Sequence, residues 1–136
     1  MIEAAFARKF VEQITQYTEY NINIMNENGI IIASRDPRRI GTFHEVAYRI
    51  VTGSEEFVVT TKEGDYPGVL PGINQVIMLD GKREGVVGIT GNPDDVRPIA
   101  LITKMAVSHA EIREAGRKAQ APFQQEGQVF QSPDPG

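Results

Sequence analysis

YNINIMNENGIIIASRDPRRIGTFHEVA, residues 20–47, decides how the chain folds and where its positive charge collects. Tyr20, Ile22 and Ile24 alternate with Asn21, Asn23 and Met25, the period-2 signature of a half-buried strand. Asn26-Glu27-Asn28-Gly29 gathers residues that tolerate positive φ, which predicts a tight hairpin turn. Ile30 to Ala33 is then a short β-branched run that returns beside the first strand, apolar enough to be covered on both faces. Ser34 ends it.

From Arg35 to Gly41 the pattern breaks. Asp36-Pro37 marks a turn and Gly41 permits a sharp bend. Thr42-Phe43-His44-Glu45 fits a capping box, in which Thr42 accepts from the amide of Glu45 and the glutamate reaches back to Thr42; a helix is therefore expected from here. Val46, Ala47, Ile50 and Val51 fall on one face of it, and Gly53 is the expected stop. A helix start favours an anion, Arg38 or Arg39 can add a forked contact, and His44 can donate from the first turn. Glu45 competes for the same positive potential. On these residues alone, a solvated arginine loop and a histidine serving as a cap remain open alternatives.

Upstream, Ile2, Phe6, Phe10, Ile14 and Tyr17 recur at steps of three and four, the stripe of an amphipathic helix over residues 2 to 18 that packs on a sheet or on a partner chain. Downstream, Glu56 to Thr61 reads as a strand, followed by a polar loop from Lys62 to Gly68. Pro71-Gly72-Ile73-Asn74 leads into a strand over Val76 to Leu79, with Asn74 able either to recognise a hydroxyl or carboxylate or to bond backbone. Asp80-Gly81 is a hairpin signal joining that strand to Glu84–Thr90. Gly85, Gly88 and Gly91 form no nucleotide-binding fingerprint and read instead as close packing or room for a ligand. Asn92 and Pro93 open a last helix that Pro98 either restarts or kinks. From Gly116 the composition turns to Gln, Pro and Gly, so residues 1–115 are read as the domain and 116–136 as a linker or disordered tail.

The 136 residues have room for one domain, and their net charge of −4 argues against a broad nucleic-acid surface. Positive charge is local: three arginines against Asp36 leave the 35–39 loop at +2. No cysteine occurs, which removes disulfides, thiol catalysis and cysteine metal sites and agrees with a cytoplasmic location. Two histidines distant in sequence, no metal-spaced cluster and no nucleophile elbow leave little for catalysis, so a binding protein without cofactor is expected over an enzyme. No apolar run is long enough to cross a bilayer, and no signal leader is visible.

Taken in order, YNINIMNENGIIIAS, RIGTFHEVA, PGINQVI and GVVGITGNPDDVRP resemble the sugar-diacid recognition domain of bacterial carbohydrate-diacid transcription regulators, over about residues 5–110. The resemblance implies an α+β, PAS-like fold: a five-stranded antiparallel sheet flanked by helices. It implies a sensor of a sugar diacid or related hydroxy acid of the glucarate, galactarate or glycerate type, signalling to an output domain that does not follow within these residues. Carried over to this sequence, Arg39 and His44, with Ile40 and Gly41 between them, hold one carboxylate; Gly72, Ile73 and Asn74, after Pro71, form the opposite wall; Ser34, Thr90 and Gly91 face the same space. A homodimer through the terminal helices is expected, with no direct nucleic-acid or membrane contact. The competing reading is a PAS-like dimerisation module without a small ligand.

Overall fold

A computed structural model describes residues 1–62 and 65–131, with backbone alone for 112, 114, 115 and 118–131. Chain order is α1 (Ala4–Ile14), β1 (Asn21–Asn26), β2 (Ile31–Ser34), a 3-10 turn (Pro37–Arg39), α2 (Glu45–Thr52), β3 (Phe57–Thr60), β4 (Gly72–Leu79), β5 (Lys82–Thr90) and α3 (Pro93–Gln131). The strands form one five-stranded antiparallel sheet in the order β2-β1-β5-β4-β3. The fold is the expected α+β arrangement, with hairpins β1–β2 and β4–β5 at the predicted turns. Asp80 (φ 54°) and Gly81 (φ 75°) supply the paired left-handed conformations that a two-residue hairpin requires.

Both faces of the sheet are covered. Ile22, Ile24, Ile73, Ile77, Val87 and Ile89 point to one side and pack with Ala7 and Val11 of α1 and Val96, Ala100 and Val107 of α3. Met25, Val76 and Val86 point to the other, under Val46, Ala47 and Ile50 of α2 and Val69 of the β3–β4 loop. β1 is therefore buried on both sides from Ile22 to Met25, where alternation alone predicted a half-buried strand. The period was right, but the second face has a cover that only α2 and the 66–69 loop provide.

Several boundaries move for local reasons. α1 covers 4–14 rather than 2–18, and Tyr17 lies 83% exposed beyond its end. β4 begins at Gly72, because Gly72 pairs with both Thr60 and Thr90. α2 starts at Glu45, and the capping box at Thr42 does not form. Residues 42–43 instead lie extended along the outer edge of β2: the amide of Ile31 donates to the Thr42 carbonyl (2.9 Å) and the amide of His44 to that of Gly29 (2.8 Å). Thr42 Oγ1 donates to the Arg39 carbonyl, and the cap is the His44 ring, whose Nδ1 accepts from the Ala47 amide at 3.0 Å. The pairing also shields an otherwise open sheet edge.

Asn92 caps α3 as expected, with Oδ1 accepting from the Asp94 amide (2.9 Å), and Pro93 opens the helix. One continuous helix runs through Pro98, which forfeits a single backbone bond near the start, where Asp94 and Pro98 are both exposed. The segment from 116, expected as linker or tail, continues this helix to Gln131; the expectation for 132–136, like that for Glu63 and Gly64 in the 62–68 loop, lies outside the described residues.

Candidate functional site

Residues paired directly across antiparallel strands share a face, so the register sorts the α2 side of the sheet into rows. One row, Ile31–Met25–Val86–Val76, is apolar and lies under α2. The next runs Ser34–Asn23–Gly88–Asn74–Val58, and the one beyond it Asn21–Thr90–Gly72–Thr60. Apart from Val58 at the β3 end these two rows are polar or small, and most of their members are buried: Asn23 is 2% exposed, Thr60 2% and Asn74 4%. The Asn74 amide lies over Gly88, where a Cβ would come within 2.3 Å of Asn74 Oδ1. Gly88 thus makes room between the two asparagines.

Polar side chains on a buried face normally find partners, and here some do not. Asn23 Oδ1, Thr60 Oγ1 and Arg39 Nη1 are buried with no hydrogen-bond partner among the described residues. Each such atom costs about 1–3 kcal/mol in lost hydration, so three of them in the layer between the sheet and its α2-side cover form a polar lining whose hydrogen bonds are not made among the described residues.

The three arginines of the loop separate by environment. Arg35 donates to the Thr18 carbonyl and ties β2 to the α1–β1 connection. Arg38 forks onto Asp36 at 3.0 Å through both Nε and Nη2, and that contact holds the Asp36 carboxyl below its usual range. Arg39 alone is half-buried. Its Nη2 donates to the Gly68 carbonyl at 3.0 Å, pinning the β3–β4 loop, while Nη1 has no partner among the described residues. Burial pulls its pKa below the ordinary guanidinium value, but the group stays charged at any physiological pH.

His44 is 3% exposed, and burial, followed by the nearby charge of Arg39, lowers its pKa to about 4. The ring is neutral at pH 7, and because Nδ1 accepts from Ala47 its proton sits on Nε2. Cap and donor are thus one side chain: Nδ1 orders the start of α2 and Nε2 offers a single N–H. The aromatic ring of Tyr66, stacked against Arg49 at 5.2 Å, sits on the same loop as Gly68.

Of the positions expected to contact a ligand, Ser34, Gly72, Asn74 and Thr90 share the polar rows, and Arg39 and His44 belong to the cover on the same side of the sheet. Ser34 is already engaged, donating to Asn21 and accepting from the Asp36 amide. Gly72 is held by strand pairing, since a Cβ there would meet the Ile89 carbonyl at 2.0 Å. Ile73 and Gly91 are not brought in. Ile73 packs in the α1/α3 core, and a Cβ on Gly91 would strike Val96 and Tyr20. Gly41 is exposed with open space around it, its amide bonded to the Ile31 carbonyl. Sequence reading passed over Asn23, Thr60 and the Gly68 carbonyl. Asn23 carried a signal, a polar residue between two buried isoleucines, but nothing local says that its own face is covered.

The sequence profile described as "Putative sugar diacid recognition" matches residues 2–129, nearly the whole chain. The chain belongs to this sugar diacid recognition family. It is 32% identical over 107 residues to the YsfB protein of Bacillus subtilis (strain 168), covering 76% of this chain and 29% of that one. It is 32% identical over 97 residues to the carbohydrate diacid regulator of Escherichia coli (strain K12), covering 71% and 25%. A Haemophilus influenzae protein is 33% identical over 103 residues, covering 73% and 27%. The recognition domain thus spans between a quarter and three tenths of the length of these relatives. Among its described residues no helix is long and apolar enough to cross a membrane, and no group of three or more His, Asp or Glu could hold a metal ion.

Proposed function

We propose that this domain is a small-molecule sensor that binds a sugar diacid or a related hydroxy acid between the α2-side face of the sheet and the Arg39–His44 and Gly68 segments. Binding, not turnover, is its task, and the output is transcriptional, executed by another part of the regulator in the cytoplasm. The observation that carries this reading is the half-buried Arg39 with Nη1 unpartnered on the same side of the sheet as the orphaned acceptors of Asn23 and Thr60. A diacid supplies what that set lacks: carboxylate oxygens for the guanidinium and for the His44 Nε2–H, and hydroxyls that donate to Asn23 Oδ1 and Thr60 Oγ1. Membership of the family supports the same class of ligand.

Isothermal titration of glucarate, galactarate and glycerate tests it. A charge-assisted contact contributes about 1.5–3 kcal/mol, so Arg39→Ala should weaken binding by roughly tenfold or more. Arg39→Lys, which keeps the charge but loses the fork, should fall in between. Unchanged affinity in Arg39→Ala would remove Arg39 from the site, and no heat with any organic acid in a broad screen would remove the sensor reading. The two terminal helices are proposed to pair two copies of the domain.

A further inference from the structure

α3 is apolar on two sides. Val96, Ala100, Thr103 and Val107 face the sheet, while Leu101 (52% exposed), Ile102 (66%) and Met105 (62%) face away from it. A helix with apolar residues on both sides is one that is covered on both sides. Beside this ridge lies a groove of about 440 Å³ whose apolar walls are Phe57, Ile73, Pro98 and Leu101. Its rim carries both signs of charge, Glu56 against Arg97 and Lys104. A protruding ridge and a recess next to each other on one surface, with mixed charge around them, is the form that a two-fold contact requires, because the same patch must serve as both partners.

We infer that the occupant of this groove is a second copy of the same domain, with the Ile102–Met105 ridge of each copy seated against Phe57 and Pro98 of the other. The inference rests on the proposed pairing of two copies and narrows it, from both terminal helices, to the outer face of α3 together with Phe57 of β3.

Sedimentation of the full chain across the micromolar range tests it. Wild type should be dimeric; Ile102→Glu and Met105→Glu should each weaken the dimer by at least roughly tenfold, with the unfolding of the monomer unchanged. Tyr17→Glu, a change at a still more exposed position beyond the end of α1, should leave the dimer intact. Because the chain has no cysteine, mixing Met105→Cys with Phe57→Cys should yield a disulfide-linked heterodimer under mild oxidation. A monomeric wild type, a dimer indifferent to both ridge variants, or cross-linking of Met105→Cys only to itself would overturn the inference. Glucarate titration of the ridge variants is read separately, so a failed interface and a failed ligand site give different results.

Discussion

The two faces of the sheet are built from neighbouring residues of the same strands, yet they differ in kind. Toward α1 and α3, β1 sends Ile22 and Ile24 into an apolar layer; toward α2, it sends Asn23, whose Oδ1 has no partner among the described residues, and the apolar Met25. On the first face the buried groups are almost all apolar and contribute to stability; the exception is Gln75, whose Oε1 is buried without a partner among the described residues. On the second, the row under α2 closes the fold, and the rows beyond it keep hydrogen-bonding capacity at some cost in stability. The contrast teaches that stability and recognition are divided by side-chain parity along the strand, and one-residue steps such as Ile73 to Asn74 move from one to the other.

The sharpest way to break this contrast is to trim the apolar face. Ile22→Ala, at a fully buried position, should lose about 2–5 kcal/mol in urea unfolding; a loss within the range of surface substitutions would show that this face is not the stabilising one. Acid comes next. Native His44 has a pKa of about 4 against 6.5 in the unfolded chain, so the unfolded state takes up the proton first. Stability is therefore complete above pH 6.5 and falls as pH drops toward 4, by about 1.4 kcal/mol per pH unit within that window. His44→Asn can still cap α2, and its Tm-versus-pH curve should be flatter than wild type over that range by this amount. Parallel curves would mean that the ring is not buried neutral.

The smallest effect on folding and the most telling for function is expected at Asn23. Asn23→Val removes an unpartnered buried acceptor, so stability should stay within about 1 kcal/mol of wild type or rise, while affinity for the diacid falls. A variant that is strongly destabilised would instead make Asn23 a structural partner and would dissolve the distinction between the faces at this position.

How much was legible beforehand follows from how far each interaction reaches along the chain. The β1 alternation, the Asn26–Gly29 and Asp80-Gly81 turns, the Gly53 stop and the Asn92-Pro93 helix start all depend on residues within a few positions of one another, and each lies where the pattern placed it. Arg39 could be ranked above Arg35 and Arg38 only through the family resemblance; its distinguishing contact is with Gly68, 29 residues away. The failed capping box at Thr42 has the same origin. A local motif was sound in itself, but Thr42 and Phe43 were taken by the β2 edge, and that backbone pairing set the start of α2 at Glu45.

By itself, then, the amino-acid order determined the succession of helices and strands, the two hairpins, and the concentration of positive charge between β2 and α2, because these follow from short-range periodicity and from residues that permit particular backbone angles. Tertiary structure alone decided that the second face of β1 is covered, that His44 rather than Thr42 caps α2, and that Asn23 Oδ1, Thr60 Oγ1 and Arg39 Nη1 lie buried on one side of the sheet without a partner among the described residues. Burial depends on what arrives from elsewhere in the chain, and a residue cannot reveal through its neighbours whether water will reach it.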